Sequence, residues 1–394
     1  MSDLRNVFNS DNDEYDNTQI GEIRNIEQND FIKMYSEMCP GYIYQPAIMD
    51  PVQRIVVLGD IHGDYKLAIN MLLIANLISC EKNNVIRWIG KGTYVVQIGD
   101  QVDRCRPVLN MQCDNPATTI NDEASDIKIL ELFTDLHYQA MQCGGAVISL
   151  LGNHEILNAL GQINYVSEKG RREFDGYVDP KTGVVIKNGD AARIHAFAPG
   201  NQYGKFLGCT RYAAVIIGSN LFVHAGIIDG LINEIGFSFQ KDIKTVDMAV
   251  RLWLMGLLKK KYIKNIIKSS KTSMFWTRIL GSIPPGMPMT DPKCIGNIGN
   301  VLKMFKVGKI YVGHTPQSFR YGKNLNSTCD DTVWRVDNGS SSAFHRFDPE
   351  AMKGNVSQNR RPQVLQIIND GIFTVCDVEN MEQCKVENME QCKH

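Results

Sequence analysis

The chain contains no Cys-x-x-Cys pair, no apolar run near the roughly 18 residues that a membrane span requires, and no surplus of either charge sign. Its 11 cysteines are scattered. That pattern argues for reduced thiols rather than a disulfide framework, and the odd count leaves at least one unpaired. With 42 Lys and Arg against 43 Asp and Glu and a formal net charge of -1, there is no global attraction to nucleic acid or to an anionic membrane. The opening residues, Met1 to Asp16, are polar and acidic and carry no apolar segment of the secretory kind. The expectation is a soluble, intracellular, cytoplasmic protein with neither a nucleic-acid nor a membrane partner.

What is present is ample apolar material: 394 residues, 43% of them hydrophobic, fit one large or two modest globular domains. Residues 1–45 are rich in Asn, Asp and Glu and are expected to form a polar, partly disordered arm. The folded domain is expected over 46–375 and a charged tail over 376–394. In the tail, Val378 to Lys385 and Val386 to Lys393 repeat one octapeptide, and two copies cannot build a solenoid. Leu67, Met71, Ile74 and Ile78 recur at helical spacing, which predicts a crossover helix over Tyr65 to Ile78. A second helix is expected over Asp122 to Met141, and one or two more over Asp247 to Ser270. Insertions are expected at about 105–123, a surface loop carrying Cys105 and Cys113, and at about 156–206, an excursion that rims the substrate. A third, at about 240–275, holds the basic segment Lys259 to Lys268, read as a solvated face or as a dock for an acidic phosphosubstrate.

Five apolar, β-branched-rich runs stand out: Ile55 to Leu58, Tyr94 to Ile98, Ala146 to Leu151, Leu221 to Val223 and Ile310 to Val312. Each reads as a buried strand. A ligand-type residue follows each within a few positions, in Gly59-Asp60-Ile61-His62-Gly63, Gly99-Asp100-Gln101-Val102-Asp103-Arg104, Gly152-Asn153-His154-Glu155, Val223-His224-Ala225-Gly226 and Gly313-His314-Thr315-Pro316. In layered α/β folds ligands collect beyond the carboxyl ends of strands, so these segments can converge although they are far apart in sequence.

Asp60, His62, Asp100, Asn153, His224 and His314 offer oxygen and imidazole nitrogen only, a set that suits divalent ions rather than a thiolate cage. Two cations about 3.5 to 4 Å apart must share a ligand, and Asp100 is the candidate bridge. Asp60 and His62 would complete one ion, and Asn153, His224 and His314 the other. A hydroxide bridging such a pair would attack phosphorus in line, because metal coordination lowers the pKa of water to about 7. Arg104 is the nearest fork-shaped donor for phosphate oxygens, Arg278 is a second, and Asn153 also reaches the substrate in this reading. His154 is placed to act as general acid, with Asp103 orienting it.

These five motifs resemble those of the calcineurin-like metallophosphoesterases, and within them the phosphoprotein phosphatase group. They are most similar to the Shewanella-like protein phosphatases, through Ala196 to Gly200 upstream of Leu221 to Gly226, Trp276-Thr277-Arg278, Gly313 to Gln317 and Arg335-Val336-Asp337. The resemblance covers about residues 52 to 345. It implies an α/β fold, a central β-sandwich flanked by helices in four α/β/β/α layers, two divalent ions (Mn, Fe or Zn), and hydrolysis of phosphomonoesters on protein Ser/Thr or Tyr. The six metal ligands, His154, Asp103, Arg104 and Arg278 carry over to the positions just named. Two positions depart from the pattern: Cys105 and Ala225 stand where the family has Gly. Cys105 could crowd the turn that aims Arg104. The alternatives are a hydrolase of dinucleoside polyphosphates or other small phosphorylated molecules, and a catalytically impaired scaffold of the same fold.

Overall fold

The structure is a computed structural model that describes residues 28–82, 85–236, 243–355 and 357–384. Strand-forming residues dictate its centre. In β2 (Arg54–Leu58) every residue is buried, and successive side chains face opposite ways. Ile55 and Val57 enter a core shared with the second sheet, while Val56 and Leu58 enter a separate core under the helices Tyr65–Ile74 and Asp126–Met141. A strand covered on both faces reads as an unbroken apolar run, which is why these segments were visible in the sequence.

Two six-stranded mixed sheets face each other. One runs β16 (Ile372–Cys376), β15 (Val364–Ile368), β2, β5 (Tyr94–Gln97), β6 (Ala146–Leu150) and β9 (Arg211–Tyr212). The other runs β1 (Ile48–Met49), β10 (Ala214–Ile217), β11 (Asn220–Val223), β12 (Lys309–Val312), β14 (Val333–Arg335) and β13 (Asn326–Thr328). Two short ribbons, β3 (Ile78–Cys80) with β4 (Ile86–Trp88) and β7 (Tyr177–Val178) with β8 (Val185–Ile186), lie outside the sheets. The helices Asp229–Ile235, Ile243–Leu254 and Pro292–Phe305 send buried residues into the core that the second sheet lines. The result is the expected helix–sheet–sheet–helix sandwich.

Strand direction positions the site. β2, β5 and β6 are mutually parallel neighbours in one sheet, paired Ile55 to Tyr94 and Tyr94 to Ala146, and β11 and β12 are parallel neighbours in the other, paired Leu221 to Ile310. Within each sheet the motif-bearing strands therefore end at the same edge.

Helix lengths follow local chemistry more closely than apolar spacing did. The crossover helix stops at Ile74 because Leu77 and Ile78 turn away to start β3; Asp64 caps its start by accepting from the Leu67 amide at 3.0 Å. The second helix begins at Asp126, not Asp122, whose carboxylate is instead engaged with Ser167 and Lys169. The basic region forms two helices, Ile243–Leu254 and Lys260–Ile267.

Two expectations are corrected. The arm expected through residue 45 contains a helix, Gln28–Met38, whose Phe31 and Tyr35 are buried in the main core against Arg251 and Tyr44. Residues 1–27 and 385–394, including the second copy of the octapeptide, lie outside the described residues. The thiols, expected to be reduced, form disulfides Cys39–Cys209, Cys105–Cys113, Cys294–Cys329 and Cys376–Cys384, with Cα atoms 5.6, 5.8, 5.6 and 6.3 Å apart. Cys143 is also disulfide-bonded, and Cys80 is the free cysteine among the described residues. Sequence spacing could not show this, since Cys39 and Cys209 are 170 positions apart and only the fold brings them within bridging distance. Peptide mapping of the unreduced protein is expected to recover all four linked pairs; recovery of Cys105 and Cys113 as free, alkylatable thiols would contradict them. No helix among the described residues is long and apolar enough to cross a membrane.

Candidate metal centre

The loops that leave the five strands carry their chemistry on unusual backbone. His62, Asp100, Asp103 and His314 have φ of 49°, 53°, 72° and 62°, the left-handed region that non-glycine residues seldom occupy. Such conformations persist only where the surroundings hold them, and they concentrate at functional sites. Glu155 supplies much of the holding: its buried carboxylate accepts from the amides of Asp100, Gln101, Val102 and Gly152, at 3.0, 2.8, 3.2 and 2.7 Å. One carboxylate thus locks the loop after β5 to the loop after β6. The flanking glycines are required by close approach, because a Cβ on Gly152 would overlap Asp100 Oδ1 and one on Gly313 would overlap Asp60 Oδ1.

The six expected ligands converge. His62 Nε2 lies 3.8 Å from both Asp60 Oδ2 and Asp100 Oδ2. From the other sheet, His224 Nε2 lies 3.3 Å from Asp100 Oδ2 and 3.0 Å from Asn153 Oδ1, and its Nδ1 is 2.9 Å from the Ile98 carbonyl. The His314 amide donates to Asp60 Oδ2 at 3.0 Å, and the His314 and His224 rings are 5.1 Å apart. Two groups of donors share Asp100, one with His62 and His154 and one with His224 and His314, each gathered within 4.8 Å.

The electrostatics of this cluster call for cations. Burial pushes the Asp60 carboxyl well above the usual carboxylate range, and Asp337 and Asp100 push it the same way. Burial likewise raises Asp337, to about 6. Burial also opposes ionisation of Asp100, but His224 and His154 outweigh it and hold that carboxyl well below its usual value. Asp60 Oδ1, Asp337 Oδ2 and His62 Nδ1 are buried without a hydrogen-bond partner among the described residues. Closely spaced buried carboxyls with orphaned oxygens are stabilised by bound divalent ions, and the N and O donors present suit them. The residues fit a metal site.

His154 and Asp103 meet as expected: Nδ1 and Asp103 Oδ2 are 2.7 Å apart, and His154 Nε2 is 3.9 Å from Asp100 Oδ2. Sequence reasoning did not find what lies behind them. Asn158 donates to Asp103 Oδ1 at 2.9 Å, and the fully buried Arg193 donates to Asn158 Oδ1 at 2.8 Å and to Asp126 Oδ2 at 2.7 Å. Only Asn158 carried a possible signal, four residues after His154 on one helix.

The two arginine assignments part company. Arg278 lines the cavity over the cluster and donates to the His314 carbonyl at 2.7 Å. Arg104, expected to bind phosphate, is not among the residues that wall it. Its Nη1 donates to the Gly63 carbonyl at 3.1 Å and lies 3.4 Å from Asp64, and its Nη2 donates to the Asn121 carbonyl at 3.2 Å. The left-handed Asp103 directs the next side chain toward Gly63, and the buried Cys105 with its disulfide takes the following position. Arg106 enters the cavity instead. Its guanidinium lies 5.7 Å from the Tyr165 ring centroid and 4.8 Å from that of Phe344. Nη1 donates to the carbonyls of Asp103 and Cys105 at 3.1 and 2.7 Å, and Nε and Nη2 make no hydrogen bond to described residues. An arginine two places after the motif was the available signal, and the motif itself masked it. The cavity, about 1280 Å³, is also walled by Trp276, Phe319 and Phe347 and by Leu157, Gln162 and Asn164 of the expected excursion.

A sandwich whose parallel strands present paired Asp, Asn and His donors at one edge defines a metal-dependent phosphoesterase. The calcineurin-like phosphoesterase family model matches residues 53–318, and the chain belongs to that family. It is 34% identical over 255 residues to an uncharacterized protein of Acanthamoeba polyphaga mimivirus, covering 62% of this chain and 96% of that one. It is 26% identical over 331 residues to Shewanella-like protein phosphatase 2 of Arabidopsis thaliana, covering 76% and 75%. Among solved structures, the cold-active protein-tyrosine phosphatase of a psychrophilic Shewanella species shares the fold, with a TM-score of 0.57 at 18% identity over 84% of this chain and 82% of that one. The chain is therefore a metallophosphoesterase, a hydrolase with phosphatase relatives.

Proposed function

We propose that the chain hydrolyses phosphomonoesters on protein Ser/Thr or Tyr side chains with the help of two divalent ions. The observation that carries the reading is Asp100, whose one carboxylate serves two imidazole groups at the floor of an aromatic-walled cavity. Asp60, His62 and Asp100 would hold one ion, and Asp100, Asn153, His224 and His314 the other. When bound, such ions polarise phosphoryl oxygens and make water nucleophilic near neutral pH.

The chain's own residues do the rest. Arg106 and Arg278 offer guanidinium edges to the non-bridging phosphate oxygens, and the Tyr165 and Phe344 rings hold the Arg106 plane in place. The Asp103 carboxylate accepts the Nδ1 proton of His154, so that Nε2 can carry a second proton toward the leaving oxygen. Asn158 fixes Asp103 from the other side.

Arg106→Ala is expected to lower kcat/KM on a phosphopeptide by about a hundredfold, chiefly through KM. Arg104→Ala should leave KM near wild type and lower thermal stability, because it frees backbone carbonyls rather than substrate contacts; the reverse pattern would restore Arg104 as the phosphate donor. A panel of phosphoserine, phosphothreonine and phosphotyrosine peptides run against diadenosine tetraphosphate tests the substrate class. Faster turnover of the dinucleotide would place the protein among small-molecule hydrolases, and failure on every substrate by metal-loaded protein would leave the scaffold reading.

A further inference from the structure

The helix Lys260–Ile267 has two unlike faces. Tyr262, Ile263, Ile266 and Ile267 are buried, while Lys260 and Lys264, one turn apart, are exposed. The chain continues through Lys268 to Lys271, which is exposed and lines the cavity with Ser269 and Ser270. Arg278, also exposed, lines the same cavity. Glu234 ion-pairs with Lys268, whereas Lys260, Lys264 and Lys271 have no carboxylate partner among the described residues. A strip of unmatched positive charge therefore lies along one helix and, just beyond it in the chain, on the segment that walls the cavity over the metal cluster.

We propose that this strip docks an acidic segment flanking the phosphorylated residue of a protein substrate, a proposal that rests on the phosphatase reading and narrows its substrate class. Charge complementarity argues for the occupant: carboxylate side chains supply what the lysines lack, and a field aimed at the cavity concentrates an anionic chain there. Length fits as well. The helix rises ~10 Å between Lys260 and Ile267, which an acidic stretch of about three extended residues spans. An anionic lipid surface suits the helix less, because its apolar face is already packed in the core and has nothing to insert.

The test uses metal-loaded protein and two fluorescein-labelled peptides carrying a non-hydrolysable phosphonate, one with glutamates and one with glutamines beside it. Anisotropy at low salt should show the glutamate peptide binding about tenfold tighter, with the gap closing as salt rises. In Lys260→Ala/Lys264→Ala protein most of that advantage should vanish, while turnover of p-nitrophenyl phosphate stays at the wild-type rate. Equal affinities for the two peptides, or an advantage that survives the double substitution, would overturn the proposal. So would sedimentation of wild type but not the variant with phosphatidylserine vesicles, combined with equal peptide affinities. If no phosphomonoester is hydrolysed but the glutamate peptide still binds more tightly through Lys260 and Lys264, the phosphatase reading falls and the docking strip stands.

Discussion

Asp100→Asn is expected to reduce kcat/KM by a factor on the order of 10⁴ or more and to release both divalent ions. The side chain keeps its size and its acceptor oxygen, so the bond from the His154 amide to Oδ1, 3.0 Å long, can persist. Asparagine also tolerates the left-handed backbone that position 100 adopts. What disappears is the one negative charge that faces His62, His154 and His224 together, at 3.8, 3.9 and 3.3 Å. The metal-free variant should melt near the metal-free wild type, which separates loss of ions from loss of fold. Elemental analysis after gel filtration reads the outcome. A variant that keeps one ion tightly and a few per cent of the activity would show that the two groups of donors are independent.

His154→Ala should cost 10² to 10⁴ in kcat, the range for general acid–base catalysis, with metal content unchanged. The loss should depend on the leaving group. An alkyl phosphate such as phosphoserine needs the proton badly and should suffer most, whereas p-nitrophenyl phosphate releases p-nitrophenolate, a stabilised anion, and should suffer least. The geometry poses the rival role sharply, since His154 Nε2 shares a donor group with His62 and Asp100. The short contact of Nδ1 with Asp103, backed by Asn158 and Arg193, favours a ring held for proton transfer. Loss of an ion from the alanine variant, with equal damage to both substrates, would make His154 a ligand.

Much of this arrangement could be read from sequence because strand burial and ligand chemistry leave local traces. Val56 and Leu58 alternate with Ile55 and Val57 between two cores, and the resulting apolar run ends at Asp60. Parallel strands bring the motifs together within each sheet, and the meeting of His224 with Asp100, 3.3 Å apart, comes from the packing of the two sheets. What could not be read depends on tertiary placement. Phe31 and Tyr35 sit in a polar stretch, and only their packing onto Arg251 and Tyr44 makes that stretch part of the core. The cysteine pairs are joined by the fold rather than by spacing. Arg106 rather than Arg104 lines the cavity because a left-handed Asp103 and a disulfide at Cys105 set which side chain faces it, and neither feature has a one-residue signature. Glu155 lay inside a recognised motif, yet its work on four backbone amides is visible only once the loops are adjacent.

We propose that one carboxylate, Asp100, joins two ion positions. Titrating metal-depleted protein with Mn²⁺ while recording its electron paramagnetic resonance spectrum tests this most directly. Two equivalents should bind, and the second should convert the signal of an isolated ion into that of an exchange-coupled pair, as expected for cations about 3.5 to 4 Å apart. Saturation at a single equivalent, or two equivalents whose spectra simply add, would contradict the shared site.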